Sequence, residues 1–327
     1  MRQGRVRIGI SGWRYPRWRG SFYPAGLPQR RELEYASRCF SSIELNGSFY
    51  SLQHPDSFRR WHDETPDDFV FAVKGSRYIT HMLKLRGVEQ ALATFFAQGL
   101  LALGAKLGPL LRQFPEAMRF DPARMEAFLD LLPRDTDAAA RLARRRDASR
   151  LKGRAVLKPR HDGPLRHAFE VRHESFLDPA FVDMLRLRGM ALVVADTAGR
   201  WPWVEEPTAD FMYLRLHGDA ELYVSGYSDA ALDGWARRLR AWRRGAQPRD
   251  ARRIVRGAVE RVPRDVYCYF DNDAKVHAPF DARALARRLG EGLAETADEA
   301  MRAQAPADGI PRRGGRRARA VSSSRRP

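Results

Sequence analysis

Charged side chains alternate with aliphatic ones in three short segments of this 327-residue chain. These segments are Ser42 to Asn46, Phe169 to His173 and Met212 to His217. Because the side chains of a strand point alternately to its two faces, each segment would bury one apolar face and hold its charges on the other. Carboxylates beside guanidinium and imidazole groups provide acid–base catalysis and anion binding.

Three of these side chains are candidates for catalysis. Glu44 and Glu170 would serve as general acid or base, and His217 would transfer protons near neutral pH. Charged, amide and aromatic residues at or just after a predicted strand would bind the substrate and stabilise its charge. These expected binding residues are Trp13, Asn46, Tyr50, Lys74, His81, Gln113, Arg172, His173, Asp196, Arg215, Asp271 and Asn272.

Eight β-rich runs alternate with helical segments, which predicts an α/β protein. Eight repeats are the number that closes a TIM-barrel-like (β/α)8 fold, in which helices cover the outside and the charged strand faces look into a shared interior. An open doubly wound sheet is the alternative. The runs are Val6 to Ser11, Ser42 to Asn46, Phe69 to Lys74, Ala105 to Phe114, Ala168 to His173, Ala191 to Asp196, Phe211 to His217 and Val266 to Asp271.

Capping residues mark the starts of two helices. Asp121 precedes Pro122, and Asp178 precedes Pro179, so each pair supplies an N-cap and a proline at the first helical position. The stretch from Ala231 to Arg244 has leucine and tryptophan at three- and four-residue steps, with arginine on the other face. We therefore predict a third amphipathic helix there.

The charge is strongly positive, since 58 Lys and Arg oppose 40 Asp and Glu for a net charge of +18. We expect one barrel domain over residues 1–300, with basic excursions at 135–166 and 245–264, and a disordered Arg-rich tail over 301–327. Each excursion is either solvated or an anion contact. Such a field attracts polyanions without identifying them.

Other features bear on the compartment and on cofactors. Cys39 and Cys268 lie far apart without metal or redox spacing, and no apolar stretch is long enough to cross a bilayer, so we expect a soluble, cytoplasmic protein. No protein partner is implied. No phosphate loop, dinucleotide or serine-hydrolase motif is present, and no cofactor is predicted. A divalent metal is an alternative, on carboxylates and imidazole at Glu44, Glu170, Asp196, His217 and Asp271.

Aromatic rings follow the first three predicted strands. Beside arginine and lysine they suit stacking on a sugar or a base, or else they close the barrel mouth as core. The charged set likewise has a purely structural alternative, although so many buried ions cost more than an aliphatic filling. These rings are Trp13, Tyr15, Trp18, Phe22, Tyr23, Phe49, Tyr50, Tyr78 and His81.

Eight stretches, spread from about Arg5 to Gly290, carry a resemblance to a known family. They are Ile10 to Trp13, Trp18 to Pro24, Ile43 to Tyr50, Phe71 to His81, Lys106 to Pro115, Phe169 to His173, Leu214 to Gly218 and Tyr269 to Asp273. Together they resemble the YecE-like family, domain of unknown function 72. The resemblance implies a TIM-barrel-like fold and no established reaction.

Three functions remain open. The first is an enzyme of unknown reaction, hydrolase- or isomerase-like, whose polar cavity at the carboxyl ends of the strands takes a small anionic or sugar- and phosphate-containing substrate. The second is a nucleic-acid-associated protein that holds phosphates through the basic excursions and tail. The third is a barrel that binds a ligand without catalysis.

Overall fold

Eight parallel strands close into a barrel in this computed structural model, which describes residues 3–291. Each strand pairs with its neighbours in sequence, and β8 pairs with β1, so the sheet has no open edge. The TIM-barrel-like prediction is confirmed, and the open doubly wound alternative is wrong. The strands are β1 (Val6–Ser11), β2 (Ser42–Leu45), β3 (Val70–Lys74), β4 (Leu107–Gln113), β5 (His167–Glu170), β6 (Ala191–Asp196), β7 (Phe211–Leu216) and β8 (Asp265–Phe270).

Helices surround the barrel and begin where the sequence places caps. The Asp121 carboxylate accepts a hydrogen bond from Arg124 N at 3.1 Å, and Asp178 accepts one from Ala180 N at 2.8 Å. The helices are α1 (Glu32–Cys39), α2 (Gly47–Tyr50), α3 (Pro55–Asp63), α4 (Glu89–Ala97), α5 (Pro122–Asp130), α6 (Thr136–Ala143), α7 (Pro179–Leu187), α8 (Asp229–Arg243) and α9 (His277–Leu289).

Along the strands, alternate side chains divide the barrel into two packed regions. Outward residues such as Ile8 and Ile10 of β1 pack against the helices in the main core. Inward residues form a second apolar cluster, which includes Phe211, Tyr213 and Tyr269 and fills the barrel interior towards the amino ends of the strands. Beyond this apolar cluster, the inward side chains of Glu44 and Arg215 lie towards the carboxyl ends of the strands.

The basic excursion at 135–166 is attached to the helical layer. It contains α6, and its later part donates backbone hydrogen bonds from Val156 to Ala97 O and from Arg160 to Leu101 O. These contacts anchor the excursion on the barrel.

Buried carboxylates anchor the other excursion, at 245–264. Glu206 is fully buried and accepts hydrogen bonds from the backbone of Ile254 and Val255, and from the guanidinium of Arg253 at 3.0 Å. Part of the basic charge of this excursion is thus neutralised within the chain.

Two expectations concern the remainder of the chain. The predicted Arg-rich tail, 301–327, lies outside the described residues. Between residues 3 and 291, no helix combines the length and the apolar character that crossing a bilayer requires.

Candidate functional site

Arg215, near the end of β7, is the centre of a buried ion network inside the barrel. Its guanidinium donates to Glu44 Oε1 and Oε2 at 3.0 Å, to Glu170 Oε2 at 2.7 Å and to Asp271 Oδ2 at 2.7 Å. Arg215, Glu44 and Glu170 are at most 1% exposed. We call Arg215, Glu44, Glu170 and Asp271 the Arg215 cluster. The predicted convergence of these strand residues is confirmed.

Glu170, at the end of β5, uses both carboxylate oxygens. Its Oε2 accepts from Arg215, while Oε1 accepts from Gln113 Nε2 at 2.7 Å and from Arg172 Nε at 2.9 Å. Burial alone would raise the pKa of Glu170, but Arg215 and Arg172 hold that pKa well below its ordinary value. Glu170 is therefore a permanently ionised anchor at neutral pH.

Glu44, on β2, is held in the same way from the other side. Its Oε1 accepts from Ser11 Oγ at 2.6 Å, and its Oε2 accepts from the Tyr213 hydroxyl at 2.7 Å. Asn46 Nδ2 in turn donates to Ser11 Oγ at 2.8 Å. With the Arg215 bonds added, both oxygens of Glu44 are fully engaged.

His217 closes the network just beyond β7. Its Nε2 lies 3.2 Å from Arg215 Nη1, and its Nδ1 lies 3.2 Å from Asp271 Oδ2. Burial and the charge of Arg215 lower the pKa of His217, so the imidazole is neutral at physiological pH. This geometry places the proton on Nδ1, which faces the Asp271 carboxylate.

A cavity of about 660 Å³ opens above the Arg215 cluster at the carboxyl ends of the strands. Sequence analysis predicted several of the residues that line it, and the contacts bring these together. They are Asn46, Tyr50, Lys74, His81, Gln113, Arg172, Arg215 and Asp271.

The three predicted catalytic residues do not line this cavity. Glu44, Glu170 and His217 are fully buried beneath its floor, and their polar atoms face the Arg215 cluster and its partners. Their role in proton transfer stays a prediction, while the contacts describe residues that hold the floor together.

Asp196 and Asn272, two predicted binding residues, face away from the barrel interior. On β6 the inward positions include Ala195, so Asp196 points outward and accepts from the Tyr227 hydroxyl at 3.1 Å. Asn272 likewise points outward and donates to Asp281 Oδ2 at 2.8 Å. Neighbouring residues of a strand occupy opposite faces, so Asp196 does not share the inward face on which sequence analysis had placed it. The binding role of both residues stays a prediction.

Trp13 and His173 also lie away from the cavity. Trp13 is 7% exposed and packs edge-on against Trp61, with ring centroids 5.6 Å apart. His173 Nδ1 accepts a hydrogen bond from Ser175 N at 3.0 Å and so caps a short 3-10 turn. The structural alternative therefore describes both side chains.

Three charged or polar lining residues were missed by sequence analysis. Arg77 and Tyr223 lie in loops after β3 and β7, where no periodic pattern marks them. Asp273 had a usable signal, because it stands two positions beyond Asp271. Burial and the charge of Asp271 raise the pKa of Asp273 to about 6. Tyr15 and Phe49, which sequence analysis named among the rings for stacking or for closing the barrel mouth, complete the lining.

Lys74, at the end of β3, has no carboxylate partner, unlike Arg215 and Arg172. Its side chain is 7% exposed, and its ammonium lies 4.3 Å from the centroid of the Phe49 ring. Burial and the nearby charge of Arg215 lower the pKa of Lys74 to about 8. Burial and Arg172 similarly lower the pKa of His81, to about 4, so His81 is neutral.

Metal-ligand geometry is absent from the described part of the chain. No group of three or more His, Cys, Asp or Glu side chains between residues 3 and 291 is arranged to hold an ion. Arg215 occupies the carboxylates of Glu44, Glu170 and Asp271 that a metal would need. The donor set therefore does not fit a divalent metal in this arrangement.

Solved structures of similar fold support the barrel. A DUF72 family protein from Thermotoga maritima MSB8 matches with a TM-score of 0.65 and 24% identity, covering 88% of this chain and all of that one. A DUF72 family protein from Enterococcus faecalis V583 matches with a TM-score of 0.62 and 16% identity, covering 87% and 95%. At these identities the likeness shows the fold alone.

Sequence comparisons identify the family. UPF0759 protein YecE of Escherichia coli K12 is 32% identical over 131 residues, which are 39% of this chain and 44% of that protein. UPF0759 protein YunF of Bacillus subtilis 168 is 33% identical over 75 residues, or 23% and 26%. Each match spans less than half of the relative. Residues 7–306, by contrast, match the model for "Protein of unknown function DUF72", so the chain belongs to the DUF72 family.

Proposed function

We propose that the cavity above the Arg215 cluster is the active site of an enzyme that acts on a small anionic, sugar- or phosphate-containing substrate. One observation carries this proposal. Lys74 is buried in the cavity wall, yet its ammonium makes no hydrogen bond or ion pair with any residue between 3 and 291. Since an unpaired buried charge is costly, a bound anion would supply the missing partner.

Arg172 and Arg77 would hold the anionic group. Two nitrogens of Arg172 contact Glu170, and its guanidinium lies 3.6 Å from the centroid of the Trp201 ring. These contacts fix the plane of the guanidinium and leave its Nη1 for a ligand. Arg77 is exposed at the cavity rim. A preorganised arginine that needs no reorientation is well suited to a phosphate or carboxylate.

Proton transfer falls to residues on the cavity wall. Asp273, with a pKa raised to about 6, and Lys74, with a pKa lowered to about 8, bracket neutral pH. Groups whose pKa values are displaced towards the working pH are the ones suited to acid–base catalysis. In this arrangement Glu170 and His217 position the floor of the site and are not its acid or base.

Aromatic side chains form the rest of the wall. Phe49, Tyr50, Tyr15 and Tyr223 surround the charged groups. Tyr50 is 68% exposed, so its ring is free to contact a ligand that enters the mouth. A polar centre between aromatic faces matches the amphipathic surface of a sugar ring.

Isothermal titration with phosphorylated sugars tests the proposal. Loss of a charge-assisted hydrogen bond costs about 1.5–3 kcal/mol, so Arg172→Ala should weaken binding by about 10- to 100-fold. Arg237→Ala, on the exposed face of α8, is the matched control and should bind as the parent does. Equal affinity for Arg172→Ala and the parent, or no binding of any anionic sugar, would contradict the proposal.

The same purified protein distinguishes the two alternative functions, a non-catalytic binding module and a nucleic-acid-associated protein. A binding module would retain ligand affinity without any turnover of the compounds that bind. Nucleic-acid association predicts retention by DNA or RNA at physiological salt, and a weaker salt dependence after truncation at Ala300.

A further inference from the structure

We propose that Lys74 is the nucleophile of this cavity and forms a Schiff base with the aldehyde or ketone carbonyl of a small phosphorylated or carboxylated substrate. This inference rests on the proposed function and narrows its substrate class to carbonyl compounds. The observations that carry it are the surroundings of Lys74, and the contrast with the second buried lysine of the chain.

Lys106 shows how this fold satisfies a buried lysine for structural purposes. Lys106 is 4% exposed, and its ammonium donates to His62 O at 2.6 Å, Thr65 O at 2.7 Å and Thr65 Oγ1 at 3.3 Å. Lys74 is equally buried and has none of these partners among the described residues. The ammonium of Lys106 is surrounded by oxygens, whereas that of Lys74 faces the Phe49 ring and the cavity, where a ligand can reach it.

The neighbouring carboxylates are occupied, which explains why Lys74 has no partner. Arg215 binds Glu44, Glu170 and Asp271 at 2.7–3.0 Å. These are the three carboxylates whose charges act on Lys74, and all of them are already paired. The charge of Arg215 also opposes protonation of the amine. Together with burial it lowers the pKa of Lys74 to about 8, so a fraction of the amine is neutral at physiological pH and can act as a nucleophile.

The chemistry requires only groups that the cavity holds. The nitrogen lone pair of neutral Lys74 attacks the carbonyl carbon, so that a C–N bond forms, the C=O π bond breaks, the oxygen takes a proton and the nitrogen releases one. The carbinolamine hydroxyl then takes a second proton and leaves as water, while the nitrogen lone pair forms C=N and the nitrogen releases its second proton. Amine and carbonyl become imine and water, without oxidant or reductant.

Proton transfer and substrate orientation have candidates on the same wall. Asp273 and Tyr223 line the cavity with Lys74, and the pKa of Asp273, about 6, suits a group that both gives and receives protons. Arg77 and Arg172 would bind the substrate anion and so fix the distance of its carbonyl from the amine.

Reductive trapping tests the inference directly. The purified chain is incubated with dihydroxyacetone phosphate, glyceraldehyde 3-phosphate or pyruvate in the presence of cyanoborohydride, digested with trypsin and analysed by mass spectrometry. Trypsin cannot cleave after an alkylated lysine, so an adduct on Lys74 appears on a peptide that runs from Trp61 to Arg77 instead of ending at Lys74.

Two variants of Lys74 and one matched control make the test specific. Lys74→Arg keeps the charge but cannot form an imine, and Lys74→Met keeps the length and removes the amine; both should lose the adduct completely. Lys158→Arg, at an exposed position, should label as the parent does. If Lys74→Arg folds poorly, Lys74→Met still provides the answer.

The outcomes separate this inference from the proposed function. Preferential labelling of Lys74, suppressed by glycerol 3-phosphate, supports both. Binding of glycerol 3-phosphate without any Lys74 adduct from the carbonyl probes overturns the Schiff base and leaves the anion site standing. Labelling of Lys74 no faster than exposed lysines also overturns it. If glycerol 3-phosphate does not bind and Lys74 is not labelled, both the Schiff base and the proposed function are overturned.

Discussion

Replacing Lys74 by methionine should stabilise the protein, although Lys74 is a central residue of the proposed site. The folded state holds this lysine with a pKa near 8, against an ordinary value of 10.5. The lowered pKa means that the folded state disfavours the protonated, charged form of Lys74, which reduces the free energy of unfolding. Methionine has a similar length and shape and carries no charge, so the variant escapes this cost.

The size of the effect follows from the pKa. At about 1.4 kcal/mol per unit, a shift from 10.5 to about 8 corresponds to roughly 3 kcal/mol. Below about pH 8 the lysine is protonated in both states, so the full cost is present. Between about pH 8 and 10.5 the unfolded chain binds more protons than the folded one, and the stability of the parent rises by up to about 1.4 kcal/mol per pH unit. We expect a gain of about 1–3 kcal/mol at neutral pH that shrinks above pH 8.

Urea denaturation of parent and variant at about pH 7 and pH 9 measures both terms. Lys106→Met is the matched control, because Lys106 donates to three oxygens that its loss would leave without a donor, and this variant should be destabilised. A Lys74→Met variant that is less stable than the parent at pH 7, or a difference that does not change with pH, would refute the reasoning.

Three further outcomes follow from the buried charges. Arg215→Ala removes the cation shared by three carboxylates, of which only Glu170 keeps a second cation, Arg172, and should lower the free energy of unfolding by about 3–5 kcal/mol in urea titrations, whereas a loss below about 1 kcal/mol would show that the cluster is not tightly coupled. Arg215 lowers the pKa values of Glu170 and Asp271, so their stabilisation is complete above about pH 5 and is lost as the pH falls below their ordinary values; unfolding monitored by circular dichroism should show this, and flat stability down to pH 3 would contradict it. Glu206→Gln should expose residues 245–264 to trypsin while the barrel stays intact, and an unchanged cleavage pattern would argue against that anchor.

Much of the fold was accessible from strand patterning. The bounds of β1 and β6 agree with the sequence prediction at both ends, and alternation correctly brought Glu44, Glu170 and Arg215 together. Alternation does not show which way a charged side chain points where both faces of a strand are buried. On β6 every residue is buried, so the apolar pattern gave no indication that Asp196 faces the helices.

The candidate site itself was only partly accessible. Arg77 and Tyr223 reach the cavity from loops, whose course depends on tertiary contacts rather than on a period in the sequence. Nor could sequence analysis show which residues form the floor of the cavity and which form its wall. Sequence analysis could pair acids with bases, but only the contacts of Arg215 show which carboxylates are already used and which amine is left over.

The aromatic side chains that fill the amino-terminal end of the barrel determine the route by which a ligand reaches and leaves the cavity. Phe211, Tyr213 and Tyr269 block any passage along the barrel axis, so the chamber is a blind-ended well. A product of the proposed reaction must leave through the same opening by which the substrate enters. Product release and substrate entry would then use the same opening. Product release is therefore the step that we expect to limit turnover.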